Sequence, residues 1–116
     1  MVARAADLIA LGYFKDAVEL VGGKRLADST DWVGKIIVCL DRVIRKVYRQ
    51  DHERGITWYK WIDDYDWKGF TYADSDGWTE FGPMHTDKLA VSVIGGWEID
   101  ESQAPIIIEA LRRASK

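Results

Sequence analysis

The chain has 116 residues, a mass of 13.3 kDa and a formal net charge of −3, which suits one domain over 1–116. Hydrophobic residues make up 47% and charged residues 30%, so the composition excludes disordered and collagen-like chains. The single Cys39 excludes an internal disulfide framework. No apolar run approaches the roughly 18 residues of a membrane span. Residues 1–21 mix charges into their apolar positions, so we expect no signal peptide and a cytoplasmic location.

The first half of the sequence predicts helices. Apolar residues recur at helical spacing on both sides of Gly12, which favours two short helices over about 3–11 and 13–21. After the capping residues at 28–30, the apolar positions follow the i, i+3, i+4, i+7 rule over several turns. They predict a long amphipathic helix over about 31–52.

Beyond Gly55 the pattern becomes that of β-strands. Four segments are rich in β-branched and aromatic residues, namely 56–62, 67–72, 78–81 and 89–94. The turns between them are short, so neighbouring strands must run antiparallel. We therefore expect an antiparallel sheet of four or five strands within about 56–99, with one face packed on the long helix.

The last segment, 102–114, predicts a C-terminal helix. Ser102 is a candidate cap, Pro105 is tolerated in a first turn, and Arg112 and Arg113 suit a helix C-terminus. The run Ile106–Ile108 leaves a strand as the alternative. Helices, then a sheet, then a helix make the expected fold class α+β.

Charge is distributed unevenly along the chain. Residues 31–54 hold six basic residues against four acids. On the expected long helix, Arg42, Arg45, Lys46 and Arg49 share one face and form a candidate phosphate-contacting surface. The alternative is an ordinary solvated helix face, which the acidic pI of about 5.3 favours.

The expected sheet is acidic and rich in tryptophan. Residues 56–101 hold ten acids against three lysines, together with five of the six tryptophans. Large rigid aromatic rings dominate many binding surfaces, and acids steer a basic partner toward them. The alternative is that these rings pack inside the fold. The candidate acidic, aromatic binding surface comprises Trp58, Trp61, Asp63, Asp64, Tyr65, Asp66, Trp67, Asp74, Asp76 and Trp78.

Sequence motifs of catalysis are missing from this chain. It has neither a nucleophile elbow, a dinucleotide loop nor a zinc or calcium motif, so we expect no enzyme activity, metal or cofactor. The first hypothesis is a protein-binding module of the inhibitor, immunity-protein or phage-antagonist type that docks on a basic patch of its partner. The alternatives are a nucleic-acid-binding protein using the basic helix face and a small-ligand domain lined by aromatics. A homodimer would also cover the aromatic face, and we expect no membrane partner.

Overall fold

The computed structural model describes residues 1–62 and 78–115. Within them the chain forms four helices and a six-stranded antiparallel sheet, which confirms the α+β class. In chain order the elements are α1 (Val2–Ala10), α2 (Phe14–Leu20), β1 (Lys24–Arg25), β2 (Ile36–Val38), β3 (Ile44–Asp51), β4 (Ile56–Ile62), β5 (Thr79–His85), α3 (Thr86–Val93), β6 (Trp97–Ile99) and α4 (Ala104–Ala114).

The sheet has the strand order β1-β6-β2-β3-β4-β5, and every neighbouring pair is antiparallel. Strands β2 to β5 follow one another along the chain, whereas β6 returns to pair with β2 on the far side. The β3–β4 pairing contains a bulge. Val47 pairs with Tyr59 and Arg49 pairs with Trp58, so Tyr48 is an extra residue on β3.

Helices α1, α2 and α4 cover one face of the sheet at the end formed by β6, β2 and the start of β3. The N-terminal pair packs together because Gly12, at φ 90°, reverses the chain and lets the Tyr13 amide donate to the Leu8 carbonyl at 2.8 Å. The core beneath these helices combines helix residues such as Val18 and Ile107 with Ile44 and Ile62 of the sheet. None of the described helices is long and apolar enough to cross a membrane.

The opposite face of the sheet carries a second, smaller core. Leu89 and Val93 of α3 pack with Val47 and Tyr59 of the central strands, and Trp32 fills the space beside them. Trp32 is completely buried, and its indole nitrogen donates to the Ser29 carbonyl at 2.6 Å. The sheet therefore has packed residues on both faces, which divides its aromatic side chains between them.

The predicted long helix over 31–52 is wrong, because this segment forms β2 and β3. Gly34 has φ 82° and Arg42 has φ 66°, and both values interrupt a helix. Asp41 shapes the turn between the strands, accepting a hydrogen bond from the Val43 amide at 3.1 Å. Residues 36–39 are buried throughout, as in a central strand covered on both faces, so they show a continuous apolar run without alternation. The expectation that one sheet face rests on this helix fails with it.

The other elements agree more closely. The two N-terminal helices are confirmed within about a residue or two, and β4 matches the predicted strand 56–62. The predicted strand over 89–94 is wrong, since 86–93 form α3 with Leu89 and Val93 one helical turn apart on its buried side. The C-terminal helix is confirmed but starts at Ala104, after Gln103 rather than Ser102. The predicted strand 67–72 lies outside the described residues.

Candidate functional site

The helices leave part of their sheet face open. Ile44 and Ile62 form a register pair in the helix-covered core at one end of β3 and β4. Farther along these two strands, the side chains on the same face are polar and aromatic. Register pairs that lie directly opposite each other share a face, so Lys46, Lys60 and Glu80 form one row and Arg49 and Trp58 form the next. We call this surface the open sheet face; it consists of Lys46, Tyr48, Arg49, Trp58, Lys60 and Glu80.

Trp58 is the central aromatic residue of the open sheet face. The Arg49 guanidinium lies over its indole ring, with the guanidinium carbon 4.3 Å from the ring centroid. On the other side lies Gly82, at φ 144°, where an added Cβ would stand 3.0 Å from Trp58 Cδ1. A glycine in the edge strand thus makes room for the half-buried indole, and the exposed Arg49 side chain covers it.

Tyr48 projects from the bulge and contacts charges of both signs. Its ring lies 6.0 Å from the Lys60 ammonium, and the side chain is 40% exposed. Partial burial and the neighbouring Glu80 carboxylate raise the pKa of the Tyr48 hydroxyl. Lys46 contacts Glu101 at 3.3 Å. The open sheet face thus has three cations, one carboxylate of its own and a second carboxylate at its margin.

A separate cleft lies on the opposite face of the sheet. It has a volume of about 200 Å³, and its walls are Val43, Arg45, Tyr59, Trp61 and Phe81. We call it the aromatic cleft. Tyr59 and Phe81 lean together, with ring centroids 5.4 Å apart and planes inclined at 35°. The Arg45 guanidinium carbon lies 5.5 Å from the Tyr59 centroid, so a cation borders the aromatic wall.

Arg45 is nearly buried and is held by a carboxylate. Its two terminal nitrogens donate to the two oxygens of Asp41 at 3.1 and 3.0 Å, a bidentate pair. Burial acts to lower the pKa of Arg45, but the Asp41 hydrogen bond and the nearby Cys39 raise it overall. Burial also raises the pKa of the Cys39 thiol to about 11, although Arg45 acts in the opposite direction.

Two side chains that line the aromatic cleft carry a buried N–H without an acceptor among the described residues. Three buried side-chain nitrogens have no hydrogen-bond partner among the described residues: Arg45 Nε, Trp61 Nε1 and Trp97 Nε1. The first two belong to cleft residues. A buried donor without an acceptor costs about 1–3 kcal/mol, so each of these three nitrogens lowers the stability of the fold by an amount of this order.

The predicted basic stripe does not exist as one surface. Because residues 44–51 form a strand, Arg45 points to the face of the aromatic cleft, while Lys46 and Arg49 belong to the open sheet face. Arg42 lies in the β2–β3 turn, with its guanidinium carbon 5.2 Å from the Phe14 centroid. The prediction that these four residues share one face is therefore wrong, although two of them do lie together.

Of the predicted acidic, aromatic surface, only the first two residues and the last one lie within the described residues. Trp58 and Trp61 lie on opposite faces of β4, as strand alternation predicts, and Trp78 packs against the helix-covered core. Trp32 and Trp97 are buried. The remaining candidates lie outside the described residues: Asp63, Asp64, Tyr65, Asp66, Trp67, Asp74 and Asp76.

Sequence reasoning missed Tyr48, Lys60, Glu80 and Phe81. Lys60 carries a usable signal, because it alternates with Tyr59 and Trp61 and must share the face of Trp58. Tyr48 follows Lys46 by two residues in β3 and shares its face, a relation that the predicted helix over 31–52 does not give. Comparison of this chain with protein-family models, with curated proteins and with solved structures finds no match.

Proposed function

We propose that the protein is a non-enzymatic binding module that holds single-stranded nucleic acid on the open sheet face. The observation that carries this proposal is that two aromatic rings each have a cation beside them, Arg49 over Trp58 and Lys60 near Tyr48. Proteins that bind single strands combine cations that follow the phosphates with aromatic rings on which bases stack. A sheet surface suits this use because its side chains stand on a nearly flat support.

The details of the contacts support a single strand over a duplex. Stacking on Trp58 requires a base that is free to leave its neighbours, which single strands provide. A base can stack on the Arg49 guanidinium, or it can replace that group on the indole while the guanidinium moves to a phosphate. Base edges have no role in this contact, so we propose binding with little sequence preference.

The overall charge of −3 is compatible with this proposal. Phosphates respond mainly to charges within about 10 Å at ordinary salt, so the local balance matters more than the total. On the open sheet face three cations outnumber Glu80, and Glu101 at the margin pairs with Lys46. The excess is small, so we expect weak binding, with a Kd between about 1 and 100 μM at low salt.

The test is a fluorescence anisotropy titration of a labelled 12-nucleotide single strand of mixed sequence in low salt. Trp58→Ala removes the stacking ring and should weaken binding by about 1–3 kcal/mol, which is roughly 5- to 150-fold. Tyr13→Ala is the matched control, because Tyr13 is 56% exposed at the distant α1–α2 turn and should leave binding unchanged. A duplex of the same sequence should bind more weakly. Absence of wild-type binding at high micromolar protein, or equal binding by Trp58→Ala, would refute the proposal.

A second candidate function, supported by the charge pattern of the sequence, is docking on a basic protein. Ten acids against three lysines in residues 56–101, beside five tryptophans, favour a basic partner. Replacing Asp63, Asp64 and Asp66 with Asn should then slow association with that partner and reduce its salt dependence. The same triple variant should bind single strands at least as tightly as the wild type, so the two functions respond to it in opposite directions.

A further inference from the structure

We infer that the open sheet face binds RNA in preference to DNA, because the Glu80 carboxylate accepts a hydrogen bond from a ribose 2′-hydroxyl. The inference rests on the proposed function and names the class of nucleic acid that this surface takes. Of the six residues that define the open sheet face, Glu80 alone carries a carboxylate. A carboxylate repels phosphates, so it favours binding only where the ligand also brings a hydrogen-bond donor to it.

Glu80 lies in the row of the lysines and not in the row of the indole. Lys46, Lys60 and Glu80 lie opposite one another on β3, β4 and β5. Trp58 pairs with Arg49 in the next row of the same face. Neighbouring strands are about 4.8 Å apart, so Glu80 directly follows two cations across the sheet. When phosphates contact the lysine row and a base stacks on Trp58, the sugars lie between the two rows, within reach of Glu80.

The Glu80 carboxylate is accessible to a ligand. Glu80 is exposed, and none of the ion pairs within the described part of the chain includes it. Together with Tyr48, Phe81 and Gly82 it lines an open depression of about 210 Å³. Pockets for drug-sized ligands start at roughly 300 Å³, so this depression suits a small group such as one sugar ring. Gly82 also borders Trp58, so the depression adjoins the stacking ring.

The chemistry of the sugar separates RNA from DNA. An ionised carboxylate can only accept hydrogen bonds. The ribose 2′-hydroxyl can donate one, whereas deoxyribose has no donor at this position. With RNA the hydrogen bond offsets the repulsion between Glu80 and the neighbouring phosphates, and with DNA the repulsion remains. Base amino groups also donate to carboxylates, but they are the same in both nucleic acids and produce no difference between them.

The experiment is the anisotropy titration with three 12-nucleotide strands of one sequence: RNA, DNA and 2′-fluoro RNA. A sequence of adenine and cytosine alone removes the difference between uracil and thymine and prevents base pairing. The 2′-fluoro strand keeps the sugar shape of RNA but lacks the hydroxyl donor. RNA should bind about three- to tenfold more tightly than DNA, as expected for one exposed hydrogen bond, and the 2′-fluoro strand should bind like DNA.

Glu80→Ala removes the acceptor and the repulsion together, so it should tighten DNA binding and reduce the RNA-to-DNA ratio of affinities to about one. Glu19→Ala is the matched control, because it makes the same change at an exposed position of α2 and should leave the ratio unchanged. Equal binding of RNA and DNA by the wild type, RNA-like binding of the 2′-fluoro strand, or an unchanged ratio in Glu80→Ala would overturn the inference. The proposed function would survive each of these results, whereas absence of binding to both RNA and DNA would refute both proposals.

Discussion

Replacing Arg49 with Gln tests the charge assignment of the open sheet face directly. Binding to a single strand weakens with salt at a slope of about −0.7 in log K against log salt for each phosphate neutralised. Lys46, Arg49 and Lys60 provide at most three such contacts, which gives a wild-type slope near −2. Removing one cation should reduce the slope to about −1.4. Over a tenfold rise in salt, wild-type affinity should fall roughly 100-fold and that of the variant roughly 25-fold.

The measurement is the anisotropy titration repeated between about 20 and 200 mM salt, close to the range over which phosphate contacts are usually compared. Arg4→Gln is the control, because it makes the same change in net charge at an exposed position of α1. If the protein responded only to its total charge, both variants would lower the slope equally. Equal slopes for Arg49→Gln and the wild type would refute the assignment, whatever the absolute affinities.

Three further predictions concern stability and reactivity. The Gln50 side chain accepts a hydrogen bond from the Trp32 amide at 2.7 Å and donates to Thr30 O and Thr57 Oγ1 at 2.7 and 3.2 Å. Gln50→Ala should therefore lower the free energy of unfolding, measured in urea, by about 2–4 kcal/mol, and a loss below about 1 kcal/mol would contradict this role. Cys39 should resist a thiol reagent at pH 8 until the protein unfolds, since it is buried and its pKa is raised to about 11, and rapid labelling of the native protein would contradict its burial. Glu109→Gln should cost up to about 1 kcal/mol at pH 7, because Arg112 and Arg113 lower the pKa of Glu109. The stabilisation is present above the ordinary pKa of 4.5 and is lost as the pH falls through the folded value, so urea curves of the two proteins should converge in acid.

The parts of the fold that the sequence predicts well are those with one buried face. Helix α4 has Ile107, Ile108 and Leu111 on its inner side and arginines at its end, so its pattern favours a helix over the strand that Ile106–Ile108 alone would allow. Strand β4 alternates between half-buried and buried residues from Ile56 to Lys60. The segment 36–47 is different, because its strands are covered on both faces. Its apolar residues then fit a helical spacing by coincidence, and only local backbone features such as Gly34 distinguish the two structures.

The candidate site was harder to predict because it depends on which face of the sheet each side chain of β3 points to. Every second residue of a regular strand points to the same face, so without a bulge Arg45, Val47 and Arg49 would share one face. Arg49 would then lie on the side of the aromatic cleft. The extra residue Tyr48 reverses this order and moves Arg49 to the other face, opposite Trp58. The contact between Arg49 and Trp58 therefore depends on one inserted residue, which no propensity in the sequence marks. A count of charges along the chain could not reveal the open sheet face, because the count adds the residues of both sheet faces together.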